Sequence, residues 1–146
     1  MNKPLNLLLV DDSQADARLM QLWLQKSQVI GDLRVAVSGS QALGMLRREG
    51  EYASVPRPDL VLLDVNLPDM QAWDILQIVR GDPALADLAV LILTGTLADA
   101  DARRAKDFHV ISYLAKPFDA DEFAALVREI ESFAERCGMS PQPFDQ

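Results

Sequence analysis

The sequence predicts an α/β fold in which a five-stranded parallel sheet carries helices on both faces. Five short apolar runs recur along the chain, and segments with helical patterns separate them. Several runs are almost continuous valine, isoleucine and leucine, which is typical of strands buried on both faces. Regular alternation of such strands with helices favours parallel strands joined by helical crossovers. The predicted strands are Leu5–Val10, Leu33–Val37, Leu60–Leu63, Leu88–Leu93 and Val110–Leu114.

Two helices are predicted before the third strand. The first follows Ser13, and its apolar residues recur at helical spacing. The face expected to be buried carries Ala15, Leu19, Leu22 and Trp23. The second helix covers Ser40–Glu49, and Gly50 is expected to end it. The segment Gly50–Pro58 that follows contains two prolines and is predicted to be a surface loop.

Two further helices flank the fourth strand. Trp73–Arg80 has apolar residues at helical spacing, and the stop signals Gly81 and Pro83 follow it. Ala98–Phe108 is a weaker helical segment that is rich in alanine.

The last helix has the clearest start. Asp119 can cap it, and Glu122 stands three residues later, as an acidic relative of the capping box. Gly138 is expected to end it, and two prolines follow. We therefore expect one domain over residues 1–138 and a C-terminal tail over residues 139–146.

Composition favours a soluble cytoplasmic protein. A chain of 146 residues, 49% hydrophobic, suits one domain with its own core. Its single cysteine, Cys137, cannot form an intramolecular disulfide. No apolar run approaches the roughly 20 residues of a membrane helix, and the N-terminus lacks the features of a signal peptide. The net charge of −8 argues against nucleic acid as the main partner, and its simplest interpretation is solubility.

Polar residues follow four of the five predicted strands. Asp11 and Asp12 end the first strand, Asp64 the third and Thr94 the fourth, and Lys116 follows the fifth. In a parallel sheet these positions share one edge, where sites form. Converging carboxylates repel one another unless a cation neutralises them, and oxygen ligands suit Mg²⁺. A carboxylate can also attack phosphorus, while a metal ion, an ammonium and a hydroxyl stabilise phosphoryl oxygens.

Four motifs carry a resemblance to the receiver domains of bacterial two-component response regulators, over Leu5 to about Arg136. Together, in this order and spacing, they are far more specific than the acid pair alone. They are Leu9–Asp12, Leu62–Pro68, Leu93–Gly95 and Tyr113–Phe118. The resemblance implies a flavodoxin-like, doubly wound sheet with strand order 2-1-3-4-5.

The resemblance also implies roles at individual positions. Asp64 matches the phosphoacceptor and is also a metal ligand. Asp12 matches the direct ligand of Mg²⁺, and Asp11 a ligand acting through water. The backbone carbonyl of Asn66 matches the group that completes the metal shell. Thr94 and Lys116 match the groups that bind the phosphoryl oxygens.

Three further roles concern switching and reset. Tyr113 matches the aromatic switch residue that turns inward when Thr94 moves. We hypothesise that Asn66 and Thr96 flank the attacking water and tune hydrolysis of the acyl phosphate. The bond before Pro117 is expected to be cis, as is usual in the family.

The implied function is a phosphorylation-controlled switch rather than an enzyme in the usual sense. A histidine kinase donates the phosphoryl group, and the fourth helix, fifth strand and fifth helix form the output face. The output is expected to be protein contact, with an unidentified downstream protein or with a second copy in a homodimer through this face. Three features resemble the single-domain regulators of bacterial phytochrome kinases. They are the long loop before the third strand, the Leu67–Pro68 dipeptide and the long last helix.

Two positions depart from the family pattern. Ala72 replaces the usual glycine, so the loop after the third strand is expected to take a different path. His109 stands where a helix-ending glycine is common, and we interpret it as a helix terminator rather than a phosphorelay histidine.

The sequence also suggests two alternatives to the switch. One is a pseudo-receiver that keeps the fold without accepting phosphate, and the intact acid set argues against it. The other is a phosphatase that forms an aspartyl phosphate, but such enzymes usually carry the nucleophile on the first strand, with a second Asp two residues later. Here the first strand ends in adjacent acids, and the chain lacks a cap domain.

Overall fold

A computed structural model describes residues 4–65, 67–95, 99–116 and 119–137 of the chain. These residues form alternating strands and helices, as predicted. The strands are β1 (Leu5–Val10), β2 (Ile30–Ala36), β3 (Leu60–Asp64), β4 (Ala89–Thr94) and β5 (Ser112–Ala115). The helices are α1 (Gln14–Leu24), α2 (Gly39–Arg47), α3 (Ala72–Gly81), α4 (Asp99–Asp107) and α5 (Ala120–Arg136).

The strands form one parallel sheet in the order β2-β1-β3-β4-β5. This confirms the predicted fold class and strand order. One apolar cluster packs α1 and α5 against one face of the sheet, and a second packs α2, α3 and α4 against the other. The carboxyl ends of the strands therefore meet at one edge, between the two layers of helices.

Strand boundaries differ from the prediction by more than one residue at two places. β2 begins at Ile30, three residues earlier than expected, because pairing with β1 extends along this stretch despite its polar residues. β5 begins only at Ser112, because the amide of Val110 still bonds to the carbonyl of Ala105 at the end of α4.

The predicted buried face of α1 is correct only at Trp23, which is half-buried and packs against Phe123 of α5. The helix buries Ala17, Met20 and Leu24 against the sheet, whereas Leu19 and Leu22 are 43% and 57% exposed. Both sets of residues have helical spacing, so periodicity alone does not select between them. Ser13 caps the helix by accepting a hydrogen bond from the amide of Asp16.

The helix ends are set mostly by residues other than the predicted glycines. Arg48 ends α2 in the left-handed conformation, with φ of 56°, although Gly50 was expected to do so. Gly81 lies inside α3, which ends in extended backbone at Asp82. His109 has φ of 57° directly after α4, which confirms it as a helix terminator. The predicted stop at Gly138 lies outside the described residues.

The carboxyl end of α4 is fixed to α3. The Trp73 ring stacks on Phe108 with a centroid distance of 6.3 Å, and the guanidinium of Arg104 lies 5.8 Å from the Trp73 ring centroid. Arg80 donates to the carbonyls of Phe108, Ala86 and Leu88. Burial lowers the pKa of Arg80 more than the nearby Asp87 raises it.

Among the described residues, no helix combines the length and apolar character needed to cross a membrane.

Candidate functional site

The predicted strand-end residues meet at the carboxyl edge of the sheet. One carboxylate oxygen from each of Asp11, Asp12 and Asp64 lies within 4.8 Å of the others. Thr94 ends β4 beside them, and its carbonyl accepts a hydrogen bond of 2.8 Å from the amide of Lys116. The parallel topology therefore brings together the acids, the hydroxyl residue and the lysine as the sequence predicted.

The acid pair after β1 is asymmetric. Asp11 is only 1% exposed, and its Oδ1 accepts a hydrogen bond of 2.9 Å from the amide of Ser13. Its backbone amide bonds to the carbonyl of Ala36, which attaches it to the end of β2. Asp12, by contrast, is exposed. The first acid is thus fixed inside the fold, and the second faces the entrance to the crevice.

Lys116 is the cation of the site. Its Nζ lies 3.0 Å from Oδ2 of Asp64, 3.1 Å from Oδ2 of Asp11 and 3.4 Å from Oδ2 of Asp16. Burial opposes its charge and is the largest single influence on its pKa. The hydrogen bond to Asp64 and the negative charges of Asp64 and Asp11 together outweigh burial, so the pKa of Lys116 is raised above its ordinary value. Lys116 therefore stays charged at neutral pH.

The remaining donor set fits a hard cation. Three carboxylates against one ammonium leave excess negative charge in a partly buried crevice. Oδ2 of Asp11 makes an ion pair with Lys116 but no aligned hydrogen bond within the described parts of the chain. A buried oxygen of this kind, beside two further carboxylates, is suited to Mg²⁺ or Mn²⁺, either directly or through bound water.

Thr94 and Tyr113 lie on the same face of the sheet. In the register of β4 and β5, Ile92 pairs with Tyr113 and Thr94 with Ala115. Because side chains alternate along a strand, Thr94 shares the face of Ile92, which belongs to the cluster beneath α2, α3 and α4. Tyr113 is half-buried against that same cluster. Thr94 is buried, so the two residues connect the crevice to the face that carries α4.

Three predicted site residues lie outside the described residues: Asn66, Thr96 and Pro117. The expected roles of Asn66 and Thr96, and the expected cis bond before Pro117, therefore stay predictions. Ala72 is described. It is fully buried at the first position of α3, and its amide donates to the carbonyl of Val65. Its φ is not positive, so alanine fits without strain.

Two residues near the site were not predicted from the sequence. Asp16 reaches Lys116 from α1. Asp69, in the loop after β3, accepts hydrogen bonds from the backbone of α2. The sequence offers one signal for Asp16, its place three residues after Ser13 in the first turn of a helix that begins beside the acid pair. Asp69 has no local signal, because its partners lie about thirty residues away.

Comparison with known proteins agrees with this geometry. The family model for the response regulator receiver domain matches residues 7–128. The response regulator Rcp1 of Synechocystis is 36% identical over 132 residues, which are 90% of this chain and 90% of Rcp1. The probable methanogenesis regulatory protein FilR2 of Methanothrix harundinacea is 34% identical, over 96% of this chain and 90% of that protein.

Solved structures give the same result. The Mn²⁺-bound form of Rcp1 superposes with a TM-score of 0.78, covering 89% of this chain and 94% of that one, at 36% identity. The phosphorylated cyanobacterial phytochrome response regulator RcpA superposes with a TM-score of 0.82 at 34% identity, over 96% of this chain and 100% of that one.

Proposed function

Because the chain belongs to the response regulator receiver domain family, we propose that Asp64 is its phosphoacceptor and that a histidine kinase is the donor. The observation that carries this assignment is the 3.0 Å contact between Lys116 Nζ and Asp64 Oδ2 inside a cluster of acids. This contact supports the proposal because a carboxylate can act as a nucleophile toward phosphorus and an adjacent ammonium can bind phosphoryl oxygens.

In the transfer step, a carboxylate oxygen of Asp64 attacks the phosphorus of a phosphohistidine. A new P–O bond forms, the P–N bond breaks, and its electron pair stays on the histidine nitrogen. Lys116 exchanges its bond to the Asp64 carboxylate for one to a phosphoryl oxygen. Mg²⁺ held by Asp12 and Asp64, with Asp11 acting through water and the carbonyl of Asn66 completing the shell, would neutralise the charge that accumulates.

The resulting acyl phosphate operates a switch. The Thr94 hydroxyl moves toward the phosphoryl group, and Tyr113 turns into the space that Thr94 leaves. Support for this coupling comes from the shared sheet face of the two residues. The face formed by α4, β5 and α5 then changes and is recognised by a downstream protein or by a second copy of the chain.

Hydrolysis resets the switch. Asn66 and Thr96 are proposed to flank the attacking water and so set the lifetime of the acyl phosphate. Exchanging both side chains should change the dephosphorylation rate of the phosphorylated protein, and an unchanged rate would remove these residues from the mechanism.

The proposed donor of the phosphoryl group is a light-sensing kinase of the phytochrome class. The transfer is proposed to take place in the cytoplasm. The likeness to RcpA over nearly the whole chain supports it. The test compares the rates of phosphoryl transfer from a purified phytochrome kinase and from an unrelated histidine kinase. Transfer from the phytochrome kinase should be faster, and equal rates would contradict the assignment.

The central test uses a small phosphodonor with Mg²⁺ and measures acid-labile phosphate on the protein. Wild type should become phosphorylated, and Asp64→Asn should not. Absence of label on the wild type would instead support the pseudo-receiver alternative.

Dimer formation through α4, β5 and α5 is tested by the solution mass with and without the phosphodonor, and a monomer mass at all concentrations would contradict it.

A further inference from the structure

The side chain of Asp69 joins the two loops that flank the end of β1. In the sheet, β1 lies between β2 and β3, so the loops after β2 and after β3 stand on either side of Asp11 and Asp12. The carboxylate of Asp69, in the loop after β3, reaches the beginning of α2 on the other side. We call this contact the Asp69 bridge.

The bridge uses both oxygens of the carboxylate. Oδ1 accepts from the amide of Gly39 at 2.8 Å, and Oδ2 accepts from the amide of Ser40 at 2.9 Å. Both amides belong to the first turn of α2, where backbone donors have no partner within the helix and negative charge is favoured. These backbone hydrogen bonds hold the pKa of Asp69 below its usual value.

The two loops also approach each other closely at Gly39. A Cβ atom at this position would collide with the side chain of Met70, the residue after Asp69. Any other residue at this position would require the Met70 side chain to move. The sequence of α2 is therefore matched to the bridge at the point where the two segments touch.

The loop after Asp64 is consequently fixed at both its base and its tip. At its base, Val65 donates to the carbonyl of Leu93 on β4 and accepts from the amide of Ala72. At its tip, the Asp69 bridge attaches it to α2. Holding mutually repelling carboxylates in place before an ion arrives reduces the free energy that binding must supply for their arrangement.

We propose that Asp69 is a positioning residue for the cation site, which it supports by tying the loop after Asp64 to α2 across the end of β1. The inference rests on the proposed function, because the cation is the one that phosphoryl transfer to Asp64 requires. Asp69 acts through the loop and does not bind the ion itself.

The test measures Mn²⁺ binding from the electron paramagnetic resonance signal of the free ion, with Mg²⁺ as competitor. Wild type, Asp69→Asn and Asp69→Ala are compared. Loss of a residue that orients metal ligands typically costs tenfold or more in affinity, so the dissociation constant of Asp69→Ala should rise by about tenfold. Asp69→Asn keeps one acceptor oxygen and should lie between Asp69→Ala and wild type.

Asp59→Ala is the control matched to Asp69→Ala. Asp59 also accepts a long-range backbone hydrogen bond, 2.8 Å from the amide of Asn6, but it lies at the opposite edge of the sheet. The dissociation constant of Asp59→Ala for Mn²⁺ should equal that of wild type, although both Asp→Ala variants lose the acceptor of a long-range backbone hydrogen bond and should both lose thermal stability. This comparison separates positioning from a general loss of stability.

Wild-type affinity in Asp69→Asn and Asp69→Ala would overturn the inference, as would an equal loss in Asp59→Ala or an absence of Mn²⁺ binding by the wild type. If Asp69→Ala does not fold, the Mn²⁺ affinity of Asp69→Asn tests the inference. Phosphate uptake by the wild type is measured separately. Its failure would contradict the proposed function while leaving the comparison of Mn²⁺ affinities intact.

Discussion

Lys116 and Asp16 form an ion pair across the edge of the site, with 3.4 Å between Nζ and Oδ2. Lys116 is therefore shared between an acid of α1 and the two buried acids at the ends of β1 and β3. The Asp16 side chain is 45% exposed, so it is the member of this set that water screens most. In the proposed mechanism, Asp16 would compete with a phosphoryl group for the ammonium of Lys116.

The first prediction concerns this competition. In Asp16→Asn, Lys116 is released from one carboxylate and becomes more available to phosphoryl oxygens. An exposed ion pair contributes about 0.2–1 kcal/mol, so the phosphorylated fraction at a fixed, subsaturating concentration of phosphodonor should rise by no more than about fivefold. Separation of the phosphorylated and unphosphorylated forms by gel electrophoresis measures this fraction. A fall in the phosphorylated fraction would show instead that Asp16 orients Lys116 productively.

The second prediction concerns Lys116 itself. Lys116→Met leaves Asp11 and Asp64 as neighbouring buried carboxylates without their ammonium. Breaking a buried pair in this way costs about 3–5 kcal/mol, so the free energy of unfolding should fall by an amount in that range at neutral pH without divalent ions. Urea denaturation measures it, and added Mg²⁺ should restore part of the loss.

The third prediction is the pH dependence of that difference. The pKa of Lys116 is raised in the folded protein above its ordinary value of 10.5. Its contribution to stability is thus fully present below pH 10.5 and is lost as pH rises through the folded-state pKa. The difference in unfolding free energy between wild type and Lys116→Met should therefore be constant through neutral pH and shrink only in strong alkali. A difference that shrinks between pH 7 and 9 would contradict the ion pairs described for Lys116.

The fourth prediction tests the hydroxyl of Thr94 with an isosteric substitution. Thr94→Val removes the buried hydroxyl and keeps the volume. A hydrogen bond to a charged group contributes about 1.5–3 kcal/mol, so the phosphorylation rate should fall by about 10- to 100-fold. Thr94→Ser, which keeps a hydroxyl, is the control and should stay close to wild type. Equal rates in the two variants would mean that the hydroxyl does not contact the phosphoryl group.

The fifth prediction addresses Ala72, where the chain departs from its family. Because Ala72 is fully buried at the start of α3 without positive φ, glycine offers no conformational advantage there. Ala72→Gly should lower the unfolding free energy by about 1 kcal/mol through backbone entropy. Phosphorylation should be unchanged. A stabilised Ala72→Gly variant would indicate that the loop after Asp64 is strained.

The convergence of Asp11, Asp64, Thr94 and Lys116 could be predicted from sequence because it depends only on strand identity and parallel topology. The buried face of α1 could not, since two apolar stripes are available and contact with the sheet selects the one with Met20. The position of Asp16 in the first turn of α1 could be predicted, but its contact with Lys116 and the contacts of Asp69 could not. They depend on the rotation of a helix and on the path of a loop, which no spacing along the chain encodes.

The contacts at the end of α4 constrain how that helix can move. Phe108 is held by the Trp73 ring and by Arg80 through its carbonyl. A rearrangement that preserves these contacts must rotate α4 about its carboxyl end. The amino end, which follows Thr94 by five residues in the chain, then travels furthest. Small displacements beside the phosphorylation site would therefore appear as a change in the angle of α4 rather than as a translation.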